Sequence, residues 1–267
     1  MNPNSDGTYE SNTMSLEKRL IRTSEFTLIV LVTAFVAIQA SAADADVAIE
    51  EKPKWETSAA VGFTLTSGNS DTVLGTASLL SLKKWELHEL SAGLNGSYGE
   101  VEGVKNNELA RGTVQYNRLL GDTDSYFFGK ADLLHDSVAD VEYRLSLSPG
   151  YGYYFTKNDK TKLSAEIGPG YIFEKLGSGE DDYLTLRVGE RFEYKISDRA
   201  RLWQSVEFMP QIDEFTNYLL VAEIGVESDL TEKMSLRVSL QDNYDNQPAP
   251  GRKSNDLRLV TGIGYKF

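Results

Sequence analysis

The chain of 267 residues contains no cysteine. Disulfides and thiolate metal centres are therefore excluded. It contains only two histidines, His88 and His135, far apart in sequence. Positive charge is also short: 27 Lys and Arg stand against 40 Asp and Glu, a formal net charge of −13. Such a balance repels a phosphate backbone, so a nucleic-acid partner is excluded on electrostatic grounds. Hydrophobic residues make up 40%, too few for a bundle of membrane-spanning helices, and no amphipathic helical stretch of useful length follows Ala42. One apolar run does occur near the N-terminus. Lys18, Arg19 and Arg22 precede an apolar core from Phe26 to Ile38, and Ala40-Ser41-Ala42 follows. This order reads as a secretory signal peptide over residues 1–42, cleaved after Ala42, with a true start at Met14 a further expectation. Residues 43–54 are polar and acidic and read as a short periplasmic tail.

What the chain has in abundance is alternation. In the final segment Leu257, Leu259, Ile263, Tyr265 and Phe267 share one parity, and Asp256, Arg258, Gly262, Gly264 and Lys266 share the other. Alternate side chains of a strand point to opposite faces, so one face is oily and the other polar or small. The same pattern recurs in Val141, Tyr143, Leu145, Leu147, Tyr151, Tyr153 and Phe155 against Glu142, Arg144, Ser146, Ser148, Gly150, Gly152 and Tyr154. About twelve such runs are expected, at 55–66, 72–84, 88–99, 108–119, 125–135, 141–155, 161–175, 183–196, 201–211, 217–230, 234–243 and 255–267. Many are long for a soluble sheet, where strands average about 5–6 residues. The predicted fold is all-β: a single up-and-down antiparallel transmembrane barrel over residues 55–267, in a bacterial outer membrane.

Aromatic side chains support this reading by falling near predicted strand ends, where girdles form. Trp55, Trp85, Tyr116, Phe127, Phe155, Tyr194, Trp203 and Phe267 mark the expected periplasmic end, and Tyr98, Tyr143, Phe173, Phe208 and Tyr218 the other rim. Two features resist the pattern. Glu190 shares parity with the lipid-facing Leu186, Val188 and Phe192, so either a bulge turns it inward or the register differs. Pro149, Pro169 and Pro210 are expected to interrupt ladders, at bulges or strand ends.

The candidate site is the inward face, where charges of both signs collect. Glu142, Glu166, Glu174, Glu193, Glu207, Glu223 and Glu227 oppose Arg144, Lys162, Arg187, Arg191, Lys195, Arg237 and Arg258. They are read as a salt-bridged network filling a small barrel or as the lining of a narrow aqueous pore. An outer-membrane lipid-modifying enzyme is the weaker alternative. His135-Asp136-Ser137 supplies the residue types of a triad, but three consecutive residues do not converge as nucleophile, base and orienting acid must. Acidic groups at the outer loops, such as Glu180-Asp181-Asp182, match no defined metal loop, and no metal or cofactor is implied. A secreted soluble β-sandwich that binds a ligand is a further alternative.

Thr66-Ser67-Gly68-Asn69-Ser70-Asp71-Thr72, Pro149-Gly150-Tyr151-Gly152, Gly168-Pro169-Gly170-Tyr171 and Gly262-Ile263-Gly264-Tyr265-Lys266-Phe267 together resemble the salt-induced outer membrane protein family (DUF481). The resemblance covers nearly all of residues 55–267. It implies an outer-membrane barrel with no established activity, transfers no catalytic residue, and links the chain to salt stress by name. Ile263, Tyr265 and Phe267 also resemble the C-terminal signal read by the barrel-assembly machinery. That machinery, outer-membrane lipids and lipopolysaccharide are the expected partners.

Overall fold

The structure, a computed structural model, describes residues 55–66 and 72–267. The expected signal peptide, the periplasmic tail and the turn at 67–71 lie outside the described residues. Twelve strands follow one another: β1 (Trp55–Thr66), β2 (Thr72–Trp85), β3 (His88–Val101), β4 (Val104–Leu119), β5 (Ser125–Asp136), β6 (Val141–Lys157), β7 (Thr161–Leu176), β8 (Gly179–Ser197), β9 (Ala200–Pro210), β10 (Tyr218–Asp229), β11 (Met234–Asp245) and β12 (Asn255–Lys266). Each pairs antiparallel with its sequence neighbours, and β12 pairs with β1, so the sheet closes. Closure excludes the two-sheet sandwich that the sequence left open.

The expected strand spans hold to within a few residues, except where polar stretches read as loops. Strand β4 begins at Val104 because Glu102 and Gly103, with φ of 53° and 71°, form a two-residue turn. Positive φ at both central positions matches the twist of the flanking strands. Glu180, Asp181 and Asp182 likewise extend β8, pairing with Lys175, Glu174 and Phe173 of β7. Backbone pairing overrides the loop preference of these acids because their side chains stand in the open.

Parity is realised as expected. In β12 Leu257, Leu259, Ile263 and Tyr265 are exposed on the outer face, while Gly264 is buried. Pro149 and Pro169 fall opposite each other by register on β6 and β7, and pairing there skips residues 148–150 without changing register. Neither ring nitrogen can donate to the ladder, so the gap sits on that one seam and no bulge is needed. The irregularities of β6 lie elsewhere, between Val141 and Tyr143 and between Tyr154 and Thr156. Pro210 ends β9.

One girdle assignment departs from the sequence reading, and the question left open at Glu190 is answered. Trp203, expected in a girdle, points into the barrel: a Cβ on Gly225 would lie 2.2 Å from its ring. It shares parity with Arg201 and Glu207, which also face inward. Glu190 does face outward, with no bulge to turn it, because Gly189 beside it pairs with the inward Glu207. Its carboxylate accepts a hydrogen bond from Gln204 Nε2 at 3.2 Å. An acid on an apolar exterior costs less than the roughly 2–4 kcal/mol of Arg or Lys, yet still opposes insertion. Glu190→Leu is expected to stabilise the lipid-embedded barrel by about 1 kcal/mol, read as a raised midpoint of urea unfolding in vesicles; an unchanged or lowered midpoint would show that the carboxyl does not meet hydrocarbon.

Candidate functional site: the barrel lumen

The inward rows of the twelve strands meet in three layers. Near the end away from the start of β1, Arg144 of β6 pairs with Glu174 of the adjacent β7 and reaches Asp245 of β11 at 2.5 Å. The Tyr183 hydroxyl donates to the other Glu174 oxygen at 3.1 Å. Arg258 of β12 donates to Asp136 of β5 at 2.5 Å. Each of the long contacts joins strands that are not neighbours in the sheet, so the side chains bridge the lumen rather than lie along its wall.

An apolar cluster is built into the same wall: Ile172, Tyr183, Met209 and Leu219 are buried together, with Val221 packed against them. These residues carry inward parity, so they fill the lumen and not the outer surface.

The middle layer is ionic. Arg187 of β8 donates to Glu166 at 2.8 Å and to Glu207 at 3.0 Å. Glu207 of β9 also pairs with Lys130, which comes from β5 on the far side. Glu166 accepts from Gln115 of β4 at 2.6 Å and from the Tyr126 hydroxyl at 3.0 Å. Arg111 and Thr113 both donate to Asp132. The space left between Arg111, Lys130, Asp132, Arg187, Glu207 and Met209 is a void of about 10 Å³, room for a single water molecule. Glycines make the packing possible: a Cβ on Gly152 would lie 2.2 Å from the ring of Tyr126, which therefore crosses its strand where no side chain stands.

The third layer lies at the end where β1 begins and β12 finishes. A cavity of about 280 Å³ opens there, lined by Lys162, Glu193, Arg201, Glu227, Asp229 and Lys266 among others. Arg201 donates to Glu227 at 2.6 and 2.9 Å, and Ser235 donates to its other oxygen. Arg237 stands 3.6 Å from Glu227 and lies over the Trp203 ring.

Of the fourteen residues chosen from sequence, Arg144, Glu166, Glu174, Arg187, Glu207, Glu227, Arg237 and Arg258 take part in these lumen pairs. Glu223 faces the lumen and accepts from Gln241. Lys162, Arg191 and Glu193 form a chain of pairs at the cavity mouth, at 3.9 and 3.0 Å. Lys195 turns to Asp198 in the β8–β9 turn. Glu142 lies outside the lumen: the irregularity after Val141 rotates it to the exposed rim, where it pairs with Lys175 at 2.6 Å. Arg111, Lys130, Asp132, Asp136, Arg201 and Asp245 complete the network and were not among the lumen residues chosen from sequence, where Asp136 entered only beside His135. For Lys130, Asp132 and Asp136 the signal was present, because they share one parity with Tyr126 in β5.

The triad-like residues diverge. His135 faces outward with Nδ1 2.8 Å from the carbonyl of Glu142. Asp136 points inward to Arg258, and the Ser137 hydroxyl donates to Glu108. Ile263, Tyr265 and Phe267 line the outer face of β12, with the Tyr265 and Phe267 rings 5.1 Å apart and the Phe267 amide donating to Thr57 of β1 at 3.0 Å.

These features define a closed twelve-stranded barrel with an oily exterior and a lumen crossed by ion pairs. The chain belongs to the family described as "Protein of unknown function, DUF481", which matches residues 59–267. No curated protein matches it. Among solved structures it is similar to the translocator domain of autotransporter NalP from Neisseria meningitidis, at 14% identity over 94% of this chain and 98% of that chain, with a TM-score of 0.47. It is also similar to an outer membrane channel from Pseudomonas putida F1, at 10% identity over 84% and 100% of the two chains and a TM-score of 0.48. The NanC porin is a third, at 8% identity over 79% and 96%, TM-score 0.47.

Removing one partner of a buried ion pair leaves an uncompensated charge, whereas removing all partners together does not. Arg144→Met is expected to destabilise the barrel by about 3–5 kcal/mol. The triple change Arg144→Met, Glu174→Leu, Asp245→Leu is expected to cost less than that single change. Urea unfolding in vesicles followed by tryptophan fluorescence measures both, and a triple variant weaker than the single one would contradict the assignment.

Proposed function

We propose that the protein is an outer-membrane barrel of passive-transport type whose resting lumen is held shut by ion pairs spanning it from wall to wall. The carrying observation is the composition of the middle layer. A lumen that only had to be filled could be filled with apolar side chains, which are often as stable as buried ion pairs or more so. Here the middle layer is instead made of Lys130, Glu207, Arg187 and Glu166. Charged groups of both signs can exchange partners with a passing ion or polar solute, which apolar groups cannot do. The wide mouth at one end and the layered closure above it fit a path that opens by rearranging side chains, with the wall intact. The oily exterior and the closed ring of strands support residence in a bilayer, and the aromatic end of β12 supports delivery there by the barrel-assembly machinery.

A purely structural barrel is the second reading, favoured by the void of only about 10 Å³ at the centre. Planar-bilayer recording separates the two. The wild type is expected to show rare, small unitary openings. Lys130→Ala combined with Glu207→Ala is expected to raise open probability or unitary conductance several-fold. If both proteins migrate as heat-modifiable folded barrels and neither conducts, the structural reading stands.

A further inference from the structure

Nearly all strand cations of this barrel face a carboxylate. Two on the outer wall do not. Lys83 on β2 and Arg118 on β4 enter no ion pair among the described residues, and both belong to one patch at the end where β1 begins and β12 finishes. The register places Trp55, Lys83, Leu90 and Tyr116 on one outward row across β1 to β4. Trp85, His88, Arg118 and Phe127 form the next row. Lys83 Nζ lies 5.2 Å from the Trp55 ring centre and 5.4 Å from that of Trp85. His88 stacks on Trp85 at 5.2 Å. Arg118 Nη1 is 2.7 Å from His88 Nε2, and His88 Nδ1 is 2.6 Å from the Tyr116 hydroxyl.

The hydrogen-bond directions in this chain are settled by chemistry. A guanidinium can only donate, so Nε2 accepts and Nδ1–H donates to the Tyr116 oxygen. The Tyr116 hydroxyl proton is then free for an outside acceptor. The patch therefore offers donors: the Lys83 ammonium, the remaining Arg118 N–H groups and the Tyr116 O–H. No carboxylate answers them. Glu89 points inward to Lys84 and Lys157, and Glu86 stands exposed in the β2–β3 turn without an ion pair. On a chain of net charge −13, two cations left without acids among Trp55, Trp85, Tyr116 and Phe127 call for an anion from outside.

Above the donors, toward the middle of the wall, Ala92, Leu94 and Val114 continue the same outward rows with apolar groups. Trp and Tyr with basic residues beneath such a surface mark the level of lipid headgroups.

We propose that this patch binds the phosphate of an anionic phospholipid in the periplasmic leaflet, with Lys83, Arg118 and Tyr116 on the headgroup and the apolar rows against its acyl chains. The apolar surface directly above the donors favours a lipid over free phosphate, which has nothing to place there. This proposal rests on the bilayer residence argued above, and its test keeps the two apart.

The refolded protein is placed in phosphatidylcholine vesicles containing a minor fraction of acyl-brominated lipid, either phosphatidylglycerol or phosphatidylcholine. Trp55 and Trp85 report on the patch, while Trp203 is inside the barrel. Brominated phosphatidylglycerol is expected to be enriched at the patch about thirtyfold over brominated phosphatidylcholine, the order that two cations give at an anionic lipid surface. Lys83→Gln with Arg118→Gln is expected to abolish the preference while general quenching and heat-modifiable migration persist. Equal quenching by both lipids in the wild type overturns the headgroup site and leaves the membrane reading intact. Reversal of the preference by millimolar inorganic phosphate overturns the choice of lipid over free anion. Absence of quenching by either lipid overturns the membrane reading itself.

Discussion

Everything else in this structure depends on ring closure of the backbone ladder. A sheet with an open edge leaves a row of unpaired N–H and C=O groups, and hydrocarbon offers nothing to satisfy them. Here the ring is completed by β12 on β1, and that seam is thin. Four partners, from Ser58 with Lys266 to Val61 with Ile263, join those strands, against eleven between β11 and β12. Small residues make even this seam possible. A Cβ on Gly62 would lie 2.3 Å from the carbonyl oxygen of Thr261, so the two backbones approach more closely than an ordinary side chain permits. The last residue extends the seam, because the Phe267 amide reaches Thr57. Phe267 is thus a structural element of closure.

Closure then forces a division of side chains. With the backbone satisfied within the sheet, each residue contributes only a side chain, alternately outward and inward. The outward set needs no complementarity beyond being apolar, so it tolerates variety: Leu, Val, Ile, Tyr and Phe recur without pairing rules. The inward set is confined to a small cross-section, and every polar group must find a partner there. Large inward rings lie over glycines, as Tyr126 does over Gly152 and Trp203 over Gly225. Ionic groups then span the remaining gap. The glycines on the inward faces are consequently part of the lumen chemistry: they fix how far each ring can lean, and so which acids Tyr126 and Arg237 can reach.

This division also explains what could be read from the sequence. Strand number, strand parity and the sign of each face follow from a period of two, a local property of the chain. So do the inward positions of Glu166, Arg187 and Glu207. Partner identity is not local. Lys130 meets Glu207, and Arg258 meets Asp136, only because closure brings distant strands face to face across the lumen. The error at Glu142 has the same origin: one irregular residue after Val141 shifts parity, and no side chain in that stretch announces it. Trp203 was assigned to a girdle by residue type, although its parity with Arg201 and Glu207 already placed it inside. Parity was the better guide than composition, because the pleat is a geometric constraint while aromatic preference is only a tendency.

The lumen sets two opposing demands against each other. An interior as tightly bridged as this one gains rigidity from every ion pair that joins distant strands. Yet buried ion pairs contribute little net stability once desolvation is counted, and removing a single partner is far more costly than never having had the pair. An apolar plug would give the rigidity without that vulnerability, and the chain does use one beside Ile172, Tyr183, Met209 and Leu219. It stops using it one layer further in, at Lys130, Arg187, Glu166 and Glu207. The two solutions stand side by side in the same barrel, built on the same strands. Packing alone does not account for the change between them. A layer whose charges can re-pair, facing the polar cavity of about 280 Å³ at one end, fits the proposed passage for polar or charged solutes.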